Sequence, residues 1–134
     1  MPIFPTVSTD LGGIDCAYAV AVQPDGKILV AGNTPVVTNS GTSYAAFLAR
    51  YNTNGSLDTS FSGDGVILTP RTNAYSTFNG LAIESDGKIV VAGIATNASD
   101  QFGLARYNSD GTLDTTFSGD GMVAGDQLMP LAPM

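Results

Sequence analysis

The sequence predicts an all-β protein made of two four-stranded antiparallel blades of the β-propeller type. Three observations predict it. A long phrase is written twice, ARYNTNGSLDTSFSGDG at 49–65 and ARYNSDGTLDTTFSGDG at 105–121. A shorter phrase precedes each copy, PDGKILVAG at 24–32 and SDGKIVVAG at 85–93. Between the phrases, short apolar runs alternate with Gly-rich turns, and no stretch carries a 3.6-residue period with helix caps. Four short strands in a unit of about 40–60 residues make a blade. A β-sandwich built from two hairpin pairs is the alternative.

The spacing locates an insertion. The DGK phrases lie 61 residues apart (Asp25 to Asp86), and the ARYN phrases 56 apart (Ala49 to Ala105). The five-residue difference must fall in 33–48 as against 94–104. Insertions concentrate in exposed loops, so 33–43, rich in Thr, Asn, Ser and Gly, reads as a long loop. The chain is one repeat domain over 1–134, with repeat 1 at about 16–70 and repeat 2 at about 77–125. Residues 1–15 form a strand (IFPTVST) and a Gly-rich loop that complete a blade, and 126–134 form an apolar tail.

Each repeat then reads in the same order. CAYAVAV at 16–22 is a first strand, and STFNGLAIES holds the same place in the second copy. Pro24-Asp25-Gly26 and its counterpart Ser85-Asp86-Gly87 are tight turns, with glycine supplying positive φ. KILVAG at 27–32 is continuously apolar and predicts a strand buried on both faces. YAAFLARYN at 44–52 is similar, and Asn54-Gly55 and Asp110-Gly111 are hairpin dipeptides. Leu57 and Phe61, with Leu113 and Phe117, should anchor the turns to the core. Ser62–Gly65 is a further turn, and VILTP and MVAG are the last strands.

Composition excludes several classes. The 134 residues carry 43% apolar residues, a mean hydropathy of +0.16 and a net charge of −7. That suits a packed domain rather than a disordered chain. Four of the five basic residues sit at repeat-equivalent places, Lys27 with Lys88 and Arg50 with Arg106, leaving Arg71 alone. No basic patch can be assembled from these, so neither nucleic acid nor an anionic membrane surface is expected as a partner. Histidine is absent, which removes Ser-His and Cys-His nucleophile systems. The single cysteine, Cys16, reads as a small buried apolar residue. No apolar run approaches the length of a membrane span, and the N-terminus lacks the pattern of a signal peptide.

Asn52, Asn54 and Asp58, and likewise Asn108, Asp110 and Asp114, place oxygens around a glycine like the start of a calcium loop. The distal bidentate Glu is missing, and Asn and Asp that bond their own backbone explain the spacing as turns. Asp25, Asp86, Asp64 and Asp120 recur in each repeat, which argues for turns rather than catalytic acids. Arg50 and Arg106 are expected to pair with Asp58 and Asp114. No cofactor is expected. Asn54-Gly55-Ser56 and Asn97-Ala98-Ser99 match the glycosylation pattern. Ligand-binding candidates are the residues outside the repeat, in 33–43 and 97–101, with Tyr18, Tyr44, Tyr75 and Phe78 as aromatic surface nearby.

The phrases DGKI-V-AG and LARYN--G-LD--FSGDG closely resemble the delta-60 repeat. The resemblance covers about 16–70 and 77–125. It implies a β-propeller blade and a bacterial surface or secreted protein, extracellular or at the cell surface. It implies no common activity or site, and such proteins usually carry more than two repeats.

The expected function is a non-catalytic structural, adhesion or assembly module. A carbohydrate-binding oligomeric propeller is the second reading, and a carboxylate-dependent hydrolase the third. Two blades do not close a ring, so the chain is expected to associate with itself. A trimer with six blades is favoured, and a filament follows if the rotation does not close. The apolar ends MPIF and QLMPLAPM are expected to dock against something.

Overall fold

The computed structural model describes residues 9, 15–38, 41–69, 76–96, 100–119 and 121–124. Eight strands run in order: β1 (Cys16–Val22), β2 (Ile28–Thr38), β3 (Gly41–Tyr51), β4 (Val66–Thr69), β5 (Ser76–Ile83), β6 (Ile89–Thr96), β7 (Asp100–Tyr107) and β8 (Met122–Ala124). They form two antiparallel four-stranded meanders, β1-β2-β3-β4 and β5-β6-β7-β8. These are the two predicted blades, and no helix occurs among the described residues.

Each blade is shaped by turns that its own phrases encode. In DGK, Gly26 and Gly87 both take φ 90°. The Asp25 and Asp86 carboxylates accept from the Lys27 and Lys88 amides at 3.0 and 3.1 Å. Aspartate and glycine thus close the hairpins that lead β1 into β2 and β5 into β6, with Pro24 before the first and Ser85 before the second. Gly55 and Gly111 take φ 93° and 96°, a region where only glycine is unstrained.

The AG ending of the phrase has a separate cause. The strands β1 and β5 each carry a bulge, at Ala17/Ala19 and Phe78/Gly80. The bulge brings the first strand's backbone down onto the second. A Cβ on Gly32 would lie 1.8 Å from the Cys16 carbonyl oxygen, and one on Gly93 1.8 Å from that of Thr77. Glycine is required there for close approach, although its φ is ordinary.

Three expectations change. The stretch 33–43 is not a loop: β2 runs on to Thr38 and β3 begins at Gly41, in continuous register from Ile28↔Tyr51 to Thr38↔Gly41. Its Thr and Val residues are β-branched and fit a ladder, and Thr34 is buried within it. The five extra residues therefore lengthen a hairpin: β2 and β3 have 11 residues each, against 8 each in β6 and β7. Cys16 is half-buried rather than buried. The central strand is not equally buried on both faces. In β2, Leu29 and Ala31 are fully buried while Ile28 and Val30 are half-buried; in β6 the order is reversed, with Ile89 and Val91 fully buried and Val90 and Ala92 half-buried.

That reversal defines how the blades stack. Side chains alternate along a strand, so paired residues share a face. Leu29, Ala31, Leu48 and Arg50 lie on the forward face of the first blade. Ile89, Val91, Ala105 and Tyr107 lie on the rear face of the second. Both sets meet in one core with Phe61 and Phe78, and Leu81 and Ile83 of β5 pack against it. The forward face of one blade thus meets the rear face of the next. Residues 1–8 and 10–14, the expected N-terminal strand, and 125–134, the apolar tail, lie outside the described residues, apart from Thr9.

Candidate functional site

The repeated polar residues converge at one corner of each blade. In the first, the Asp58 Oδ2 accepts from Lys27 Nζ at 2.7 Å and from Arg50 Nε at 2.8 Å. Its Oδ1 accepts from the Ser60 amide and hydroxyl at 3.1 and 2.6 Å. The Arg50 guanidinium lies 4.5 Å over the Phe61 ring. In the second, Asp114 Oδ2 meets Lys88 Nζ at 3.3 Å and Arg106 Nε at 2.9 Å. Its Oδ1 takes the Thr116 amide and hydroxyl at 3.1 and 2.6 Å, and Arg106 lies 4.7 Å over Phe117. The expected Arg–Asp pairs form, and each also gathers a lysine, a hydroxyl and an aromatic ring.

The chemistry of this corner is that of a buried structural ion cluster. The hydrogen bond from Lys27, then those from Ser60, and the contact with Arg50 hold the Asp58 carboxyl far below its ordinary value near 3.8, against the opposing effect of burial. Thr116 has the leading part at Asp114, with Lys88 and Arg106 adding to it. Both groups are ionised acceptors with their lone pairs already engaged, which is the opposite of a carboxyl raised for acid catalysis.

The calcium candidates are placed the same way. Asn54 Oδ1 accepts from the Ser56 amide and hydroxyl at 3.0 and 2.7 Å, and Asp110 Oδ1 from those of Thr112 at 3.0 and 2.6 Å. Asn52 donates to Ser56 Oγ at 3.1 Å, and Asn108 to Thr112 Oγ1 at 2.9 Å while accepting from Lys88. Each loop is a self-satisfied turn, while Asp58 and Asp114 point into the ion clusters. Asp64 likewise caps its own turn, accepting from the Val66 amide at 3.0 Å. Among the described residues no group of three or more acidic or thiol side chains converges on a point.

The aromatic candidates do not form one surface. Phe78 is 8% exposed and belongs to the core, a correction explained by its position on the face of β5 that meets the first blade. Tyr18 is 50% exposed at the β1 bulge, and Tyr44 38% exposed in β3 opposite Pro35. Tyr75 and 97–99 lie outside the described residues.

What the sequence did not single out is the surface left by stacking. On the rear face of the first blade, Val20 and Val22 are 67% and 65% exposed. Beside them a cleft of roughly 340 Å³ is lined by Ile28, Val30, Ala49, Tyr51 and Gly55 among others. Each of these five has its repeat equivalent on the second blade, Ile89, Val91, Ala105, Tyr107 and Gly111, and every one of those is buried. Thr9 Oγ1 and Tyr51 Oη share a hydrogen bond at the cleft edge. On the forward face of the second blade, Val90, Ala92, Leu104 and Phe117 are half-buried, and Ile94 is exposed. The signal was available in part: the two copies of each phrase have different neighbours in the chain.

A family model described as "Domain of unknown function (DUF5122) beta-propeller" matches residues 23–61 and 84–117, together more than half of the chain. The matched segments run from the DGK turns to Phe61 and Phe117, the residues of the two ion clusters and their stacked rings. No curated protein matches the chain.

Proposed function

Because the chain belongs to the DUF5122 β-propeller family, we propose that it is a non-catalytic assembly module that works by stacking blades, in one molecule and between molecules. The observation that carries the proposal is the pair of leftover faces. The rear face of the first blade and the forward face of the second have the same residue pattern as the two faces already joined inside the chain. Unpartnered apolar sheet faces of this kind mark association surfaces. The repeated carboxylates support the non-catalytic part, since Asp58 and Asp114 are held in ion clusters.

The proposal includes a homo-oligomer, with three chains and six blades as the favoured ring and a filament where the rotation fails to close. It also includes an extracellular or cell-surface setting, by the resemblance to the delta-60 repeat. Sugar binding through exposed tyrosines is the second reading, supported by Tyr18 and Tyr44. The cleft itself supports stacking better, since its repeat equivalent is filled by a blade. Sedimentation equilibrium across micromolar concentrations tests the proposal. A mass that rises to a multiple of 13.7 kDa is expected. A mass fixed at one chain would refute it.

A further inference from the structure

We propose that the forward face of the second blade docks the rear face of the first blade of another copy, with the Asn52–Ser56 turn of that copy seated on Phe117 and Arg106. The inference rests on the assembly reading and adds the faces, the register and a charge rule.

The register comes from the joint already present. The blades inside the chain are fastened at the hairpin turn of the second. The Ser62 amide donates to the Asp110 carbonyl at 2.9 Å, and Arg50 Nη1 donates to the Ser109 carbonyl at 2.5 Å. Gly111 sits beneath Phe61: a Cβ there would lie 3.3 Å from Phe61 Cδ1 and 2.9 Å from the Ser62 nitrogen. Shifting one blade onward gives the joint between copies. Ser118 takes the place of Ser62, Arg106 of Arg50 and Phe117 of Phe61. The incoming turn offers the carbonyls of Thr53 and Asn54, with Gly55 in the place of Gly111. Ser118 is already set for this, with φ 57°, the same as Ser62.

The charge rule identifies the occupant. Within the chain, Arg50 has Asp58 from its own blade, and its Nη1 donates to the Ser109 carbonyl beside Asp110 in the neighbouring turn. The position that could supply a second carboxylate from its own blade is Gln23, whose buried Oε1 has no hydrogen-bond partner. On the second blade that position is Glu84, and its Oε1 lies 3.4 Å from Arg106 Nη1. Arg106 therefore already has two carboxylates, Asp114 and Glu84. A turn carrying aspartate would add a third. The first blade's turn carries the neutral Asn54 in that place. Arg106 then keeps its two carboxylates and meets no third when the second blade receives a first blade.

Cysteine pairing tests the register. In a Cys16→Ser background, one chain carries Asn54→Cys and another Ser118→Cys, and Ser62→Cys with Asp110→Cys in one chain serves as the internal control. Mixing the two single variants under mild oxidation should join residue 54 of one to residue 118 of the other, with neither variant joining itself. If the control closes and the mixed pair does not, while the chain still sediments as an oligomer, the docking is wrong and the assembly reading stands. If the chain is a monomer throughout, both fail. Asn54→Asp tests the charge rule without endangering the turn, because Asp110 makes the same turn in the second blade. It should weaken association roughly two- to fivefold at low salt, and Glu84→Gln should restore it. Unchanged association in Asn54→Asp would overturn the charge rule.

Discussion

The two blades are nearly the same sentence folded twice, yet corresponding residues do not have the same surroundings. Phe61 is fully buried, and Phe117 is not. The Arg50 side chain is 8% exposed and that of Arg106 22%. Val20 and Val22 stand in solvent where Leu81 and Ile83 pack on the core. Sequence sets what each blade can make by itself: two turns, a bulge over glycine and an ion cluster. Position in the stack sets which of its faces is covered. The difference between the copies is therefore a record of neighbours, and it can be enlarged or erased by experiment.

The largest contrast should come from the stacked rings. Phe61→Ala removes a fully buried ring between the blades and should cost about 3–5 kcal/mol in chemical denaturation. Phe117→Ala, measured on dilute protein, should cost about 1 kcal/mol, as a half-exposed position does. Equal losses in dilute solution would mean that the second blade is covered within a single chain.

Glycine at the bulge should abolish the contrast. Gly32→Ala and Gly93→Ala each force a Cβ into a carbonyl of the same blade, at the same distance. Both should lose on the order of 1–3 kcal/mol or more, and alike, because the clash is internal to the blade. A tolerated Gly93→Ala beside a damaging Gly32→Ala would show that the bulges differ.

Acid should act on both clusters. The folded-state values of Asp58 and Asp114 lie well below the ordinary one near 3.8. A carboxyl lowered on folding stabilises the fold above its unfolded value, and that contribution fades as pH falls through the folded one. Melting temperature should therefore drop as pH is taken down from about 5. Asp58→Asn and Asp114→Asn should each lower stability at neutral pH and flatten the acid limb, Asp58→Asn more so because Arg50 and Phe61 are the more buried pair. An acid limb unchanged in both variants would remove the clusters from the explanation. The smallest effect is expected from chelator. The turn oxygens of Asn54 and Asp110 are satisfied by their own loops, so melting should not shift. A fall of several degrees, restored by calcium, would make Asp110 and Asp114 ligands.

The blade plan was legible because its determinants are local. Asp-Gly-Lys, Asn-x-x-Gly and the apolar runs fix turns and strands within a few residues, and the Arg–Asp pairs lie within eight residues of each other. The hairpin of 33–43 was hidden because Thr, Asn and Ser are read as loop residues unless the partner strand is known. Phe78 was misplaced for a related reason. Its exposure depends on the first blade, on residues from Leu29 to Phe61 that are distant in the chain. The asymmetry of the faces could not be seen in either copy alone, since the burial of Ile28 as against Ile89 depends on what is stacked behind each.

Amide exchange at Ser62 and Ser118 tests most directly whether neighbours alone distinguish the blades. The Ser62 amide is bonded to the Asp110 carbonyl across the blade joint, and the proposed docking gives Ser118 the equivalent bond to another copy. In dilute solution Ser62 should be protected and Ser118 should exchange quickly. As concentration rises through the association range, Ser118 should gain protection towards that of Ser62. A Ser118 amide that exchanges at the same rate at every concentration, in protein that is demonstrably associated, would contradict the stacking of one copy's second blade on another's first.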